Sequence, residues 1–158
     1  MKKMNIGISD KNRQAIADQL SKILADEFLL YSKTLNAHWN IEGPDFHATH
    51  VYLETLYNQQ QEIVDTVAEK IRAIGHYAPG QLNKYLELTH LSEKSLDDSS
   101  SQTFFAELLE DHESIIIFLK ENINSMVDKF MAECISDYII GLMEYHKKTA
   151  WMLRSHLC

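Results

Sequence analysis

The sequence is poor in the residues that turn a chain. Five glycines and two prolines are spread over 158 residues, where average usage of the two together is about 12%. An all-β sandwich or barrel needs a turn signal every ~8–12 residues, so that class is excluded, as are collagen-like and Pro/Gly-rich disordered chains. Cysteine is scarce too. Cys134 and Cys158 offer neither a zinc-type spacing nor a disulfide framework, so the expected compartment is reducing, hence cytoplasmic. The longest apolar run, Ile115 to Leu119, is far short of the ~20 residues of a membrane span. Met1-Lys2-Lys3-Met4-Asn5 has no apolar stretch behind its charges, unlike a signal peptide. Positive charge is in deficit, with 15 Lys and Arg against 23 Asp and Glu, a formal −8. That balance favours solubility and disfavours non-specific contact with phosphate backbones.

What is present is helical periodicity. Ser9 is the expected cap of a first helix of about eight turns, along which Ile16, Leu20, Ile23, Leu24, Phe28, Tyr31 and Leu35 recur at steps of three and four. It is expected to end near Gly43-Pro44. Asp45 opens a second helix that runs to Gly75. Residues 76–102 read as a long crossover carrying one short helix around Leu82, Tyr85, Leu86 and Leu88, with a loop at Leu96-Asp97-Asp98-Ser99-Ser100-Ser101. A third helix starts near Ser101–Thr103, and a fourth runs to the C-terminus. The break between them is expected within Asn124–Glu133, with Asp128 as the cap. The prediction is an all-α, ferritin-like four-helix bundle with a short extra helix in the crossover between the second and third helices. It forms one domain, 1–158, behind a short tail, 1–8.

The histidines cluster. His38, His47 and His50 lie around the first turn, beside Glu42, Asp45 and Glu54, and Asp65 and Glu69 follow further along the second helix. His50 with Glu54, and Asp65 with Glu69, are i, i+4 pairs. At about 100° per residue all four share a stripe roughly 100° wide, yet His50 and Asp65 are about 22 Å apart along the axis. One ion does not reach both ends. A second, antiparallel copy across a two-fold axis would set His50 and Glu54 of one chain opposite Asp65 and Glu69 of the other. Two alternatives stay open on composition and geometry: a metal site between subunits, joined by His38, or carboxylates that simply face water. Mixed imidazole and carboxylate ligands suit iron, zinc or manganese better than calcium or magnesium, and open positions suit redox iron. Trp39 is either a core or interface aromatic or an oxidisable ring beside a metal. His47 lies off the stripe, and His76, His90, His112 and His156 have no evident partners. Met126, Met131, Met143 and Met152 read as core filler.

The run His38-Trp39-Asn40-Ile41-Glu42-Gly43-Pro44-Asp45-Phe46, followed by His50, Glu54, Asp65, Ala68-Glu69-Lys70-Ile71-Arg72 and Gly75, closely resembles the Dps family of mini-ferritins. The final stretch His146-Lys147-Lys148-Thr149-Ala150-Trp151-Met152-Leu153-Arg154 is similar to that family's last helix. The resemblance implies a hollow homo-dodecamer. It also implies ferroxidase sites at two-fold interfaces, with His38, His50 and Glu54 from one subunit and Asp65 and Glu69 from its neighbour. There Fe(II) would be oxidised, preferably by hydrogen peroxide rather than dioxygen, and stored as a non-haem ferric core. Trp39 matches the tryptophan that catches stray oxidising equivalents. Asp137 matches one iron-entry pore acid. Ala132 stands where another is common, and Glu133 is the expected substitute.

Two features depart from related patterns. Glu87-Leu88-Thr89-His90 is an E-x-x-H string of the kind used by larger di-iron bundles, but it falls in the crossover and has no second copy on a bundle helix. Family members that bind and compact DNA often carry a lysine-rich tail, and here the tail holds only Lys2 and Lys3, with Lys11 and Arg13 just inside the first helix. Twelve copies at −8 each predict weak DNA binding. A DNA-compacting shell with secondary iron oxidation is the alternative reading.

Overall fold

The computed structural model describes residues 4–93, 98–128 and 133–158, with side chains given for all but 124–128 and 133. Lys2, Lys3, Leu96, Asp97, Met131 and Ala132 lie outside the described residues, as do the side chains of Met126 and Glu133. The helices are α1 (Asp10–Asn40), α2 (Phe46–Ala73), α3 (Leu82–Leu88), α4 (Ser101–Asp128) and α5 (Glu133–His156), and the described residues contain no strand. This is the expected all-α bundle with a short helix in its crossover. Helix α1 packs along α2, α4 along α5, and α1 also meets α3 and α4.

Local chemistry sets the boundaries. Ser9 Oγ accepts from the backbone N–H of Asn12 at 3.2 Å, relieving one of the orphan donors of the first turn. Helix α2 ends in a paired cap. The N–H of Gly75, at φ +91°, donates to Arg72 O at 2.9 Å, and that of His76 donates to Ile71 O at 3.2 Å. A left-handed residue is needed for that closure, and glycine supplies it. Asp45 occupies the cap position of α2 without a side-chain cap bond. Asp128 is the last residue of α4 rather than the cap of the next helix.

The buried face of α1 departs from expectation halfway along. Ile16, Leu20, Ile23 and Leu24 are buried as read, but Phe28, Tyr31 and Leu35 are only half-buried. Burial instead follows Glu27, Leu30, Thr34, Ala37 and His38. The true line continues in steps of three and four from Ile23. Its polar members hide it, and the apolar line one residue away draws the eye. Thr34 is accommodated because its hydroxyl donates to Leu30 O at 2.9 Å. Phe28 is covered from outside the bundle by Tyr85 of α3, whose ring stacks on it with centroids 4.5 Å apart.

Two buried polar clips fasten the crossover. Asp26, 1% exposed, accepts from the Thr89 hydroxyl at 2.7 Å and the His90 backbone N–H at 3.0 Å, and its other oxygen lies 2.8 Å from His90 Nδ1. Lys33 Nζ lies 2.9 Å from Glu107, 2.6 Å from Asp111 and 2.9 Å from Ser92 O, joining α1, α4 and the crossover. The turn between α1 and α2 is tied to the start of α4 by Glu42 N–H donating to Ser99 O at 2.8 Å. Among the described residues no helix is long and apolar enough to cross a membrane.

Candidate metal half-site at the turn between α1 and α2

His38 lies in the last turn of α1 and His50 in the second turn of α2, and the hairpin brings their rings into a stack with centroids 3.7 Å apart. Each ring is fixed by the other's backbone. His38 Nδ1 lies 3.0 Å from His50 O, and His50 Nδ1 lies 2.9 Å from His38 O. A carbonyl oxygen only accepts, so both Nδ1 atoms carry hydrogen, and in the neutral ring that leaves the lone pair on Nε2 for a ligand. That is the tautomer a metal-binding imidazole needs, oriented by a backbone carbonyl. The edge of Tyr57 meets His38 at 5.0 Å, and its hydroxyl donates to Glu54 Oε1 at 3.4 Å. Phe46 flanks His50 at 5.0 Å. His38 is buried, His50 half-buried, and Glu54 exposed one turn further along α2.

Asp65 and Glu69 are exposed, three to five turns further along the same helix. The single chain does not bring them to the histidines. Among the described residues no three His, Cys, Asp or Glu side chains converge to hold an ion. The candidate ligands therefore fall into two groups, one at each end of one helical stripe. Trp39 is 69% exposed, which excludes a core role within this chain. Phe46, which flanks His50, and Val51, next to His50 in sequence, are also exposed, at 44% and 46%. His47 is exposed, as read from the sequence. Asp137 is exposed on α5, and its pairing with Glu133 falls on a side chain outside the described residues.

Three histidines read as partnerless do have partners. His90 is held by Asp26 and lies 3.0 Å from Ser114 Oγ. His156 Nδ1 donates to Met152 O at 2.8 Å and stacks on Tyr52. His112 Nδ1 lies 2.8 Å from His146 Nδ1, and His146 Nε2 in turn lies 2.8 Å from Glu27 Oε1. All three members of this chain are fully buried at 0% exposure. Its sequence signal is faint but real: His112 continues the buried line Leu108, Ile115, Leu119, and His146 continues Ile139, Leu142, Leu153. Glu87 of the E-x-x-H string pairs with Lys84 at the surface, so that string builds no site in the bundle.

The class follows from fold and sequence together. Residues 17–158 match the ferritin-like domain family, and the chain belongs to that family, within its Dps group. A DNA protection during starvation protein of Bacillus anthracis is 32% identical over 92% of this chain and 98% of its own length. A low temperature-induced protein of Nostoc is 37% identical over 99% of this chain and 88% of its own. The crystal structure of Dps from Staphylococcus aureus superposes with a TM-score of 0.86 at 30% identity, covering 92% of this chain and 96% of that one.

Proposed function

We propose that the protein is a mini-ferritin that oxidises Fe(II) at sites shared between two subunits and stores the ferric product inside a shell of twelve. The observation that carries this reading is the reciprocal His38–His50 pair, with both Nε2 lone pairs free. His38, His50 and Glu54 supply one side of the site, and Asp65 and Glu69 of a two-fold partner supply the other. The exposed apolar side chains of Trp39, Phe46 and Val51 give the two copies a surface to bury. Imidazole and carboxylate together hold Fe(II) while leaving positions open for the oxidant.

Hydrogen peroxide is the preferred oxidant. Two Fe(II) ions each give one electron to one peroxide molecule, and its O–O bond breaks. Both oxygens, with those of two waters, enter two FeOOH units, and four protons leave. Iron and peroxide are thereby removed together. Trp39, exposed and next to His38 in sequence, gives up an electron if the second reducing equivalent is missing. Iron enters past acidic pore residues that include Glu133 and Asp137. The test is Fe(II) oxidation by purified protein, with peroxide and dioxygen in parallel and His50→Ala as control. Faster oxidation with peroxide, lost in the variant, supports the reading. Oxidation no faster than that of free iron overturns it.

A further inference from the structure

The bundle interior holds a polar assembly that the shared site does not use. Glu27 of α1, His112 of α4 and His146 of α5 form one chain of contacts, each side chain at 0% exposure. His146 Nε2 donates to Glu27 Oε1 at 2.8 Å, which fixes the ring's orientation and directs Nδ1 the other way. There it meets His112 Nδ1 at 2.8 Å. Two imidazole lone pairs at that separation need one hydrogen between them. Burial and the neighbouring His146 ring hold the His112 imidazole well below its ordinary pKa.

The surroundings are short of partners. Glu27 Oε2, His112 Nε2 and both amide atoms of Gln60 are buried without a hydrogen-bond partner. Buried polar atoms are seldom left so, and a cluster of them marks a place for an ion or water. Counted by helical rise, Gln60 is about 15 Å along α2 from His50 and Glu27 about 16 Å back along α1 from His38. A groove of about 410 Å³ between α2 and α5 is lined by Tyr138 and Tyr145. The Tyr145 ring touches both histidine rings, with centroids 6.2 Å and 5.1 Å away.

We propose that His112 Nδ1 and His146 Nδ1 form, inside each subunit's own bundle, a binding site for one first-row divalent cation of the zinc class, with Glu27 orienting His146 through its far nitrogen. A carboxylate behind a ligating imidazole is the usual way such a ring is held. The ion displaces the shared hydrogen, which moves to the far nitrogen of the His112 ring, so both rings bind as neutral imidazoles and no net proton is released. Two nitrogens about 2.0 Å from a tetrahedral ion lie about 3.3 Å apart, so the rings need to separate by only about half an ångström. Water completes the coordination. Imidazole donors suit zinc, cobalt and copper better than magnesium or calcium.

The test separates this site from the shared one. Protein carrying Asp65→Ala and Glu69→Ala, with the shared site disabled, is titrated with Co²⁺ without oxygen. One tightly bound Co²⁺ per subunit is expected, with visible absorption of a four-coordinate ion. Adding His112→Gln or His146→Gln is expected to abolish it, and adding Glu27→Gln to weaken it roughly 10- to 100-fold. Absence of bound Co²⁺, or its survival in the histidine variants, overturns the proposal. Should a core variant fail to fold, anomalous diffraction from the wild-type protein with Zn²⁺ decides. A peak between the two Nδ1 atoms supports the site, and its absence there refutes it whatever is seen at the shared site.

Discussion

His38 and His50 lock each other through the backbone, each imidazole donating from Nδ1 to the carbonyl of the other residue at 3.0 and 2.9 Å. Neither ring is oriented by a separate residue. The hairpin that brings the end of α1 against the start of α2 is itself the orienting device, so ligand geometry and hairpin geometry stand or fall together.

Replacing either histidine should therefore disturb both. His38→Ala and His50→Ala are each expected to slow Fe(II) oxidation by roughly 100-fold, the upper end of what losing even an orienting partner does to a metal site. The exposed His47→Ala should leave the rate unchanged. Stopped-flow absorbance on the three proteins checks this.

Lys33→Met is expected to destabilise the fold by about 3–5 kcal/mol. It leaves the buried carboxylates of Glu107 and Asp111 facing each other without their cation. Chemical denaturation measures the loss. A second change of both acids to apolar residues should restore most of it.

Stability should fall on the alkaline side. Burial pushes the Tyr52 phenol up to about 12, and burial with the Glu27 charge raises Tyr138 and Tyr145 still further. Unfolded phenols ionise near pH 10. Between about pH 10 and 12 the unfolded chain therefore loses protons that the folded chain keeps, and stability present below pH 10 is lost as pH rises. Tyr52→Phe should make that decline shallower, as read from melting temperature against pH.

Weak DNA binding is expected at ~150 mM salt, where screening is strong. The −8 charge opposes contact. Arg13 is also engaged, pairing with Asp10 at 3.0 Å and donating to Ile8 O at 3.1 Å. A gel shift at that salt, with and without magnesium, checks this. A shift without magnesium that disappears when residues 1–8 are removed would favour the DNA-compacting reading.

Much of the architecture is legible because it rests on local signals. Ser9 caps α1, Gly75 closes α2, and the scarcity of other breaks leaves long helices. The hidden parts are polar. Glu27, Thr34 and His38 occupy the buried line of α1, and an apolar pattern search steps off that line onto Phe28 and Leu35. His112 and His146 are 34 residues apart in sequence, so nothing local announces their contact. For the proposed shared site, sequence spacing puts four candidate ligands on one stripe and the helical rise separates them. Only the fold reveals that His38 joins His50 through the backbone.

The central claim is that the site is shared between two chains, and subunit complementation tests it most directly. One variant carries His38→Ala with His50→Ala, the other Asp65→Ala with Glu69→Ala, and each alone should be inactive. Co-assembled in equal amounts, they should recover roughly a quarter of the wild-type rate. By two-fold symmetry half of the pairs are mixed, and each mixed pair holds one intact site of two. No recovery in a properly assembled shell would contradict a shared site, as would full activity in either variant alone.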